Sequence, residues 1–181
     1  MVRIYGNRQI KTLPGLQTRP TTARVREALF NRWHHHLQGC HWLDLCAGSG
    51  SMGAEALCRE AAVVYGIEQA GEACRIIRQN WQSIANPPQT FQVLRGDVVK
   101  RLAKLQGQSF DRIYFDPPYD GGLYEAVLDA IATYNLLQAT GELAVEHRPK
   151  QPFSIPTTFQ ICHARVYGNT ALTFFQSTQP T

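Results

Sequence analysis

The sequence predicts an α/β fold: a doubly wound, mostly parallel sheet with one antiparallel strand near its C-terminus. Three observations predict it. Short apolar runs alternate with amphipathic stretches from residue 41 to residue 146. A glycine-rich turn, "CAGSGSMG", joins the first run to the helix behind it. The last two apolar runs follow one another with no helix between them. Alternation of this kind argues for parallel strands covered on both faces. A closing hairpin turns one strand against the others.

The elements read in order as follows. Residues 1–20 are polar and interrupted by Pro14, Gly15 and Pro20. A helix starts at Thr21, which can cap it, and Val25, Ala28, Leu29 and Trp33 share one face. "HHH" at 34–36 ends it; three adjacent histidines point in different directions and make a poor metal site. "HWLDLC" (41–46) is a strand, and 51–59 a helix. "VVYGIE" (63–68) is a strand, and 70–84 a helix that stops before "NPP". "TFQVLR" (90–95) is a strand, 97–105 a helix, and "DRIYF" (111–115) a strand. Residues 122–137 read as a helix and "GELAVE" (141–146) as the fifth strand. "TTFQICHARVYG" and "TALTFFQS" form a hairpin around Gly168-Asn169.

The chain has 181 residues, enough for one domain with a real core. It holds no apolar run of about 18 residues, so no membrane partner is expected. Five cysteines without a CxxC pair read as reduced thiols of a cytoplasmic protein. The net charge of +4 is unevenly placed. Residues 1–32 carry seven Lys/Arg against one acid; the remainder carries eleven against thirteen. A basic front suits a polyanion, and equally a solvated surface. The organisation expected is a basic segment and helix over 1–35, a main domain over 36–176 and a tail over 177–181.

Gly48, Gly50 and Gly53 form G-x-G-x-x-G between strand and helix, where glycine allows a tight turn and close approach of a ligand. Glu68 ends the second strand, 18 residues after Gly50, where an acid can accept both hydroxyls of a ribose. The pair points to an adenosine-containing cofactor. Asp44 lies four residues before the first glycine and suits a methionine ammonium better than a phosphate. "GDVV" follows the third strand. There Asp97 can accept from an adenine amino group with Val98 packed on the ring, or can cap the next helix.

"FDPPYD" follows the fourth strand, where a doubly wound sheet opens its crevice. Proline cannot donate to a ladder, so the strand stops there. The locked backbone lets the Asp116 carboxylate and the Pro117 carbonyl face one way. Two fixed acceptors match an NH2 group with two hydrogens. Gripping both aims the nitrogen lone pair at an electrophile, and Tyr119 offers a face for a base to stack on.

"LDLCAGSG", "IE", "GDVV" and "DPPY", in this order, resemble class I S-adenosylmethionine-dependent methyltransferases acting on exocyclic or amide nitrogens. "RPTTARVREALFN" (19–31) is similar to the signature of the RsmD family of bacterial 16S rRNA guanine-N2 methyltransferases. The resemblance runs from "VRIYGNRQIKTLPG" to "RVYGNTALTFF". It implies a seven-stranded Rossmann-like sheet and a methyltransferase domain at 36–176. It implies S-adenosylmethionine contacts at Gly48, Ser49, Gly50, Glu68 and Asp97, and amine contacts at Asp116 and Tyr119. It also places Arg19, Thr21, Arg24 and Arg26 toward cofactor or RNA. The partner implied is small-subunit ribosomal RNA or a partly assembled small subunit; a monomer is the default expectation for a small RNA enzyme. Cys46, Met52 and the absence of an acid after Glu68 depart from the family pattern.

Other readings stay open on the residues alone. "DPPY" is shared with adenine-N6 and glutamine-N5 methyltransferases. A separate target-recognition domain for DNA has little room in 181 residues. An NAD-linked oxidoreductase would leave "DPPY" without a role. A non-catalytic RNA-binding module would leave both motifs without one.

Overall fold

The computed structural model describes residues 1–13, 23–119 and 122–178, so Arg19 and Thr21 lie outside the described residues. The basic front begins with structure of its own. Strands β1 (Val2–Arg3) and β2 (Gln9–Ile10) pair antiparallel. Two-residue strands carry no periodicity, so the sequence does not announce them. They bury Ile4 and Ile10 in the same core as Val25, Trp42 and Trp81. The expected boundary at residue 35 therefore does not separate two cores.

Helix α1 (Ala23–Arg32) buries Val25, Leu29 and Phe30. Its inner face meets Trp42 through two aromatic contacts: Phe30 stacks on the indole, and Trp33 meets it edge-on, each with ring centroids 5.4 Å apart. The three histidines form one exposed 3-10 turn, His34–His36. Among the described residues no group of three His, Cys, Asp or Glu side chains could hold a metal, and no helix is long and apolar enough to cross a membrane. The five cysteines are unpaired.

The alternating elements follow: β3 (His41–Leu45), α2 (Ser51–Cys58), β4 (Val63–Glu68), α3 (Gly71–Gln82), β5 (Thr90–Arg95), α4 (Val98–Leu102), β6 (Phe110–Phe115), α5 (Tyr124–Thr133) and β7 (Leu137–His147). The chain closes with β8 (Phe159–Tyr167) and β9 (Thr170–Ser177). Seven strands form one sheet in the order β5-β4-β3-β6-β7-β9-β8. β3 to β7 run parallel, while β9 is antiparallel to both of its neighbours. This is the doubly wound, seven-stranded arrangement expected for class I methyltransferases. Strand order reverses between β3 and β6, so the ligand crevice of such a sheet opens at their carboxyl ends.

Two boundaries differ from the sequence reading. The helix expected over 122–137 stops at Thr133. Asn135 takes φ +51°, a left-handed conformation that asparagine tolerates and that ends a helix, and Leu137 then pairs with Phe110. The helix expected over 97–105 is α4 followed by a 3-10 turn at Ala103–Leu105. In both cases the apolar side chains stay buried while the backbone changes form.

Glu142 of β7 fastens α1 to the sheet. Arg32 grips it with two bonds of 3.0 and 2.9 Å, and Trp33 Nε1 donates to it at 2.8 Å. Burial alone would push the Glu142 carboxyl up; the Arg32 and Trp33 bonds and the nearby Arg32 and Arg112 charges outweigh it and hold it below its usual range. Stabilisation from this group is therefore present above pH ~4.5 and lost as pH falls through the lowered folded-state value. Glu142→Gln is expected to cost about 1–3 kcal/mol at pH 7, the scale of hydrogen bonds to charged groups. The difference from wild type should shrink in melts below pH ~4.

Candidate active site

The glycine loop divides into two functions. Gly48 has φ +57°, and a Cβ built on it would meet nothing within 4 Å. It faces open space at the carboxyl edge. Gly53 is different, because a Cβ there would lie 2.3 Å from Cζ2 of Trp81. Gly66 of β4 meets the same indole at 2.5 Å and Gly50 at 2.9 Å. Trp81 Nε1 also donates to the Gly50 carbonyl at 2.8 Å. The motif thus keeps two of its three glycines to seat a tryptophan that the sequence reading did not single out. Asn80, 3% exposed, binds the loop on its other side. Its amide donates to the Ser49 and Lys11 carbonyls at 3.0 Å each and accepts from the Lys11 N–H at 2.9 Å. The end of the N-terminal hairpin is therefore tied directly to the loop.

Four expected acids gather at this edge. Asp44 is 1% exposed and accepts from the Gly53 N–H at 3.0 Å. Burial pushes its carboxyl up to about 8, with the Glu68 charge adding to the rise and the Gly53 bond opposing it. Glu68 accepts from Gly48 N–H at 2.9 Å and Ala70 N–H at 2.8 Å. Each carboxylate oxygen keeps further acceptor capacity. Asp97 caps α4 through the Lys100 N–H at 3.0 Å, while Val98 is buried under the edge. Cys46, at φ +60°, lies among them. Burial first, then the charges of Glu68, Asp116, Asp44 and Asp97, push its thiol up to about 12. A crevice edged by Glu68, Asp97 and Asp116, with Asp44 buried behind the glycine loop, suits a cationic ligand and opposes a pyrophosphate.

The Asp116–Tyr119 segment leaves β6 beside this loop, with Asp116 N–H pointing to the Leu45 carbonyl at 3.5 Å. Asp116 is half-buried, Pro117 is buried and Pro118 is exposed. Tyr119 is held at its hydroxyl, 3.2 Å from Thr170 Oγ1 and 3.5 Å from Glu146. Its carbonyl accepts from Gln151 at 3.2 Å, and the Arg148 guanidinium stands 5.3 Å from its ring centroid. Glu146, 4% exposed, also accepts from Tyr114 at 2.6 Å. Glu146 and Thr170 were missed from the sequence. The only signal was an acid inside the apolar run "ELAVEH". His147 is buried and bonded to the Arg148 carbonyl and Thr173; burial lowers its pKa, which gives it a packing role.

The expected RNA arginines part company. Arg24 is exposed, with its guanidinium 6.0 Å from the Tyr167 ring. Arg26 instead pairs with buried Glu55 at 2.8 Å and donates to the Arg3 carbonyl at 2.8 Å. Arg59 meets the same Glu55 at 2.9 Å. Arg26 therefore pins α1 and the hairpin to α2, because a buried carboxylate needs its partners. Arg26 is thus committed to Glu55 and Arg3, whereas Arg24 is exposed.

Two tests follow from this geometry. Gly53→Ala is expected to destabilise by about 1–3 kcal/mol through overpacking. Combined with Trp81→Leu, it should cost less than the sum of the two single changes in a denaturation cycle. Folded protein holds the Asp44 proton between pH ~4 and about 8 while unfolded chain releases it, so stability falls as pH rises through that window. Asp44→Asn should remove this decline from the wild-type profile measured by denaturant unfolding.

Comparison with known proteins agrees with the fold. The family described as conserved hypothetical protein 95 matches residues 2–176. The ribosomal RNA small subunit methyltransferase D of Escherichia coli is 32% identical over 170 residues, covering 90% of this chain and 80% of the relative. The protein of the same name from Haemophilus influenzae is 27% identical over 175 residues, covering 96% and 91%. The solved structure of yhhF from Escherichia coli superposes with a TM-score of 0.84, at 29% identity over 97% of both chains. With the family match spanning nearly the whole chain and a relative at 32% identity over 90% of it, the chain belongs to the RsmD family of class I methyltransferases.

Proposed function

We propose that the protein methylates the exocyclic N2 amine of a guanine in small-subunit ribosomal RNA, with S-adenosylmethionine as methyl donor. The observation that carries this reading is the meeting of two structures at the β3/β6 switch point. The glycine loop with its ring of carboxyls stands on one side, and the Asp116–Tyr119 segment stands on the other. Relatives named as small-subunit ribosomal RNA methyltransferases support the substrate class. An NAD-linked reading is disfavoured by the charge of the crevice.

The residues fit S-adenosylmethionine by charge. When bound, it supplies an electrophilic methyl group on a sulfonium. Asp44, buried and protonated beneath the glycine loop, would give up its proton beside an ammonium group, and Glu68 has acceptor capacity for ribose hydroxyls. Asp97 and Val98 suit an adenine edge and face. Asp116 and the Pro117 carbonyl accept the two amine hydrogens, holding the nitrogen so that its lone pair faces the methyl group. The aryl amine needs no strong base before transfer; positioning and electrostatics lower the barrier, and the surplus proton afterwards passes to the Asp116 carboxylate that already accepts one amine hydrogen, and from there to water. Tyr119, held by Thr170 and Glu146, keeps its ring in place for stacking. A base in a helix cannot reach Asp116, so the target is unstacked or turned out.

On this reading the protein acts in the cytoplasm as a monomer, on 16S rRNA or a partly assembled subunit. The test is transfer from labelled S-adenosylmethionine to unmodified small subunits, naked 16S rRNA, duplex DNA and a protein extract, with nucleoside analysis. Label in N2-methylguanosine from the ribosomal samples is expected. Label in N6-methyladenine or in protein would overturn the substrate assignment. Asp116→Ala should abolish transfer while leaving S-adenosylmethionine affinity within a few-fold; parallel loss of both would make Asp116 a structural residue.

A further inference from the structure

We infer that Arg24, Arg165 and Tyr167 form a clamp for an RNA phosphate at the rim of the active site, holding the strand beside the target nucleotide. The inference rests on the RNA methylation reading above and gives it a surface. Arg24 comes from the first turn of α1 and Arg165 from β8, yet both lean on one tyrosine. Their guanidiniums stand 6.0 and 5.5 Å from the Tyr167 ring centroid. Both arginines are exposed, and among the described residues neither has a carboxylate within ion-pair distance. This contrasts with Arg26 and Arg32 of the same helix, each paired to a glutamate. Two like charges gathered near one ring without an acid repel each other, and an anion reaching both would offset that repulsion. Guanidinium forks match phosphate oxygens in geometry, and the ring holds them in place by cation–π attraction.

Position decides which anion. β8 runs in the direction of the parallel strands, so its end at Tyr167 reaches the same edge as the active site. Tyr167 pairs across the hairpin with Thr170, the residue whose hydroxyl meets Tyr119. The Gly168-Asn169 turn, with Gly168 at φ +64°, locks that register. A line of neighbours thus runs from Tyr119 through Thr170 to Tyr167 and its two arginines. An RNA whose target base stacks on Tyr119 would pass its backbone over this clamp.

The test uses full-length protein and compares Arg24→Ala/Arg165→Ala with Arg75→Ala/Lys104→Ala, which removes the same charge from exposed positions on α3 and beyond α4. Binding of naked 16S rRNA is measured against salt, together with S-adenosylmethionine affinity and methyl transfer to small subunits. The clamp pair should weaken RNA binding about tenfold and reduce the salt slope by about 1–2, with cofactor affinity unchanged and the loss in transfer expressed as a higher KM. The distant pair should do neither. Equal weakening by both pairs, or a wild-type salt slope in the clamp pair, would overturn the clamp. So would a loss confined to assembled subunits with naked RNA bound normally, which would make the surface a protein contact. A wild type that binds rRNA with the clamp-dependent slope but transfers no methyl would remove the methylation reading and keep the clamp.

Discussion

The indole of Trp81 occupies the space that Cβ atoms would need at Gly53 and Gly66, and it presses on Gly50. The arrangement of loop, α2, α3 and β4 around the crevice depends on that placement. A Cβ at these three positions would lie 2.3 to 2.9 Å from the indole, so Trp81 packing holds Gly53 and Gly66 to glycine, and at Gly50 a φ of +73° adds to it. Trp81 then returns a hydrogen bond to Gly50, and its neighbour Asn80 fixes Ser49 and Lys11. One helix therefore sets both the apolar floor and the polar wall of the cofactor loop. Gly48 alone among the three loop glycines remains turned toward open space.

Charge is sorted with equal economy. Acids cluster inside the crevice, where burial and mutual repulsion keep Asp44 and the Cys46 thiol protonated well above their usual ranges. The arginines of α1 divide between two roles. Arg26 and Arg32 neutralise Glu55 and Glu142 and so dock α1 on α2 and on the sheet. Arg24, on another side of the same helix, reaches the rim beside β8. What the composition presents as one basic front is a set of separate interactions, because a helix turns about 100° per residue and aims neighbouring arginines at different surfaces.

Much of the architecture was legible because it is written locally. Apolar alternation between 41 and 146 announced the parallel strands, the glycines announced the turn after β3, and Gly168-Asn169 announced the hairpin. The errors lie where tertiary contacts overrode a local pattern. α5 ended early because Asn135 could turn left-handed and Leu137 found a partner in Phe110. The hairpin β1–β2 escaped notice because its stability comes from burying Ile4 and Ile10 in the cluster shared with Val25, Trp42 and Trp81 rather than from its own length.

By itself the sequence determined the order of elements, the glycine turn after the first parallel strand and the proline-locked end of the fourth, since backbone preference and residue type act over a few neighbours. Only the tertiary structure decided which glycine faces the crevice, which arginine remains at the surface, and that Glu146 and Thr170 hold Tyr119. Those outcomes rest on contacts between residues far apart in the chain, such as Arg32 with Glu142 and Tyr119 with Thr170, separated by 110 and 51 positions. No local pattern encodes such a pairing, because the partner of a buried charge or hydroxyl is chosen by the sheet order that brings it within hydrogen-bond reach.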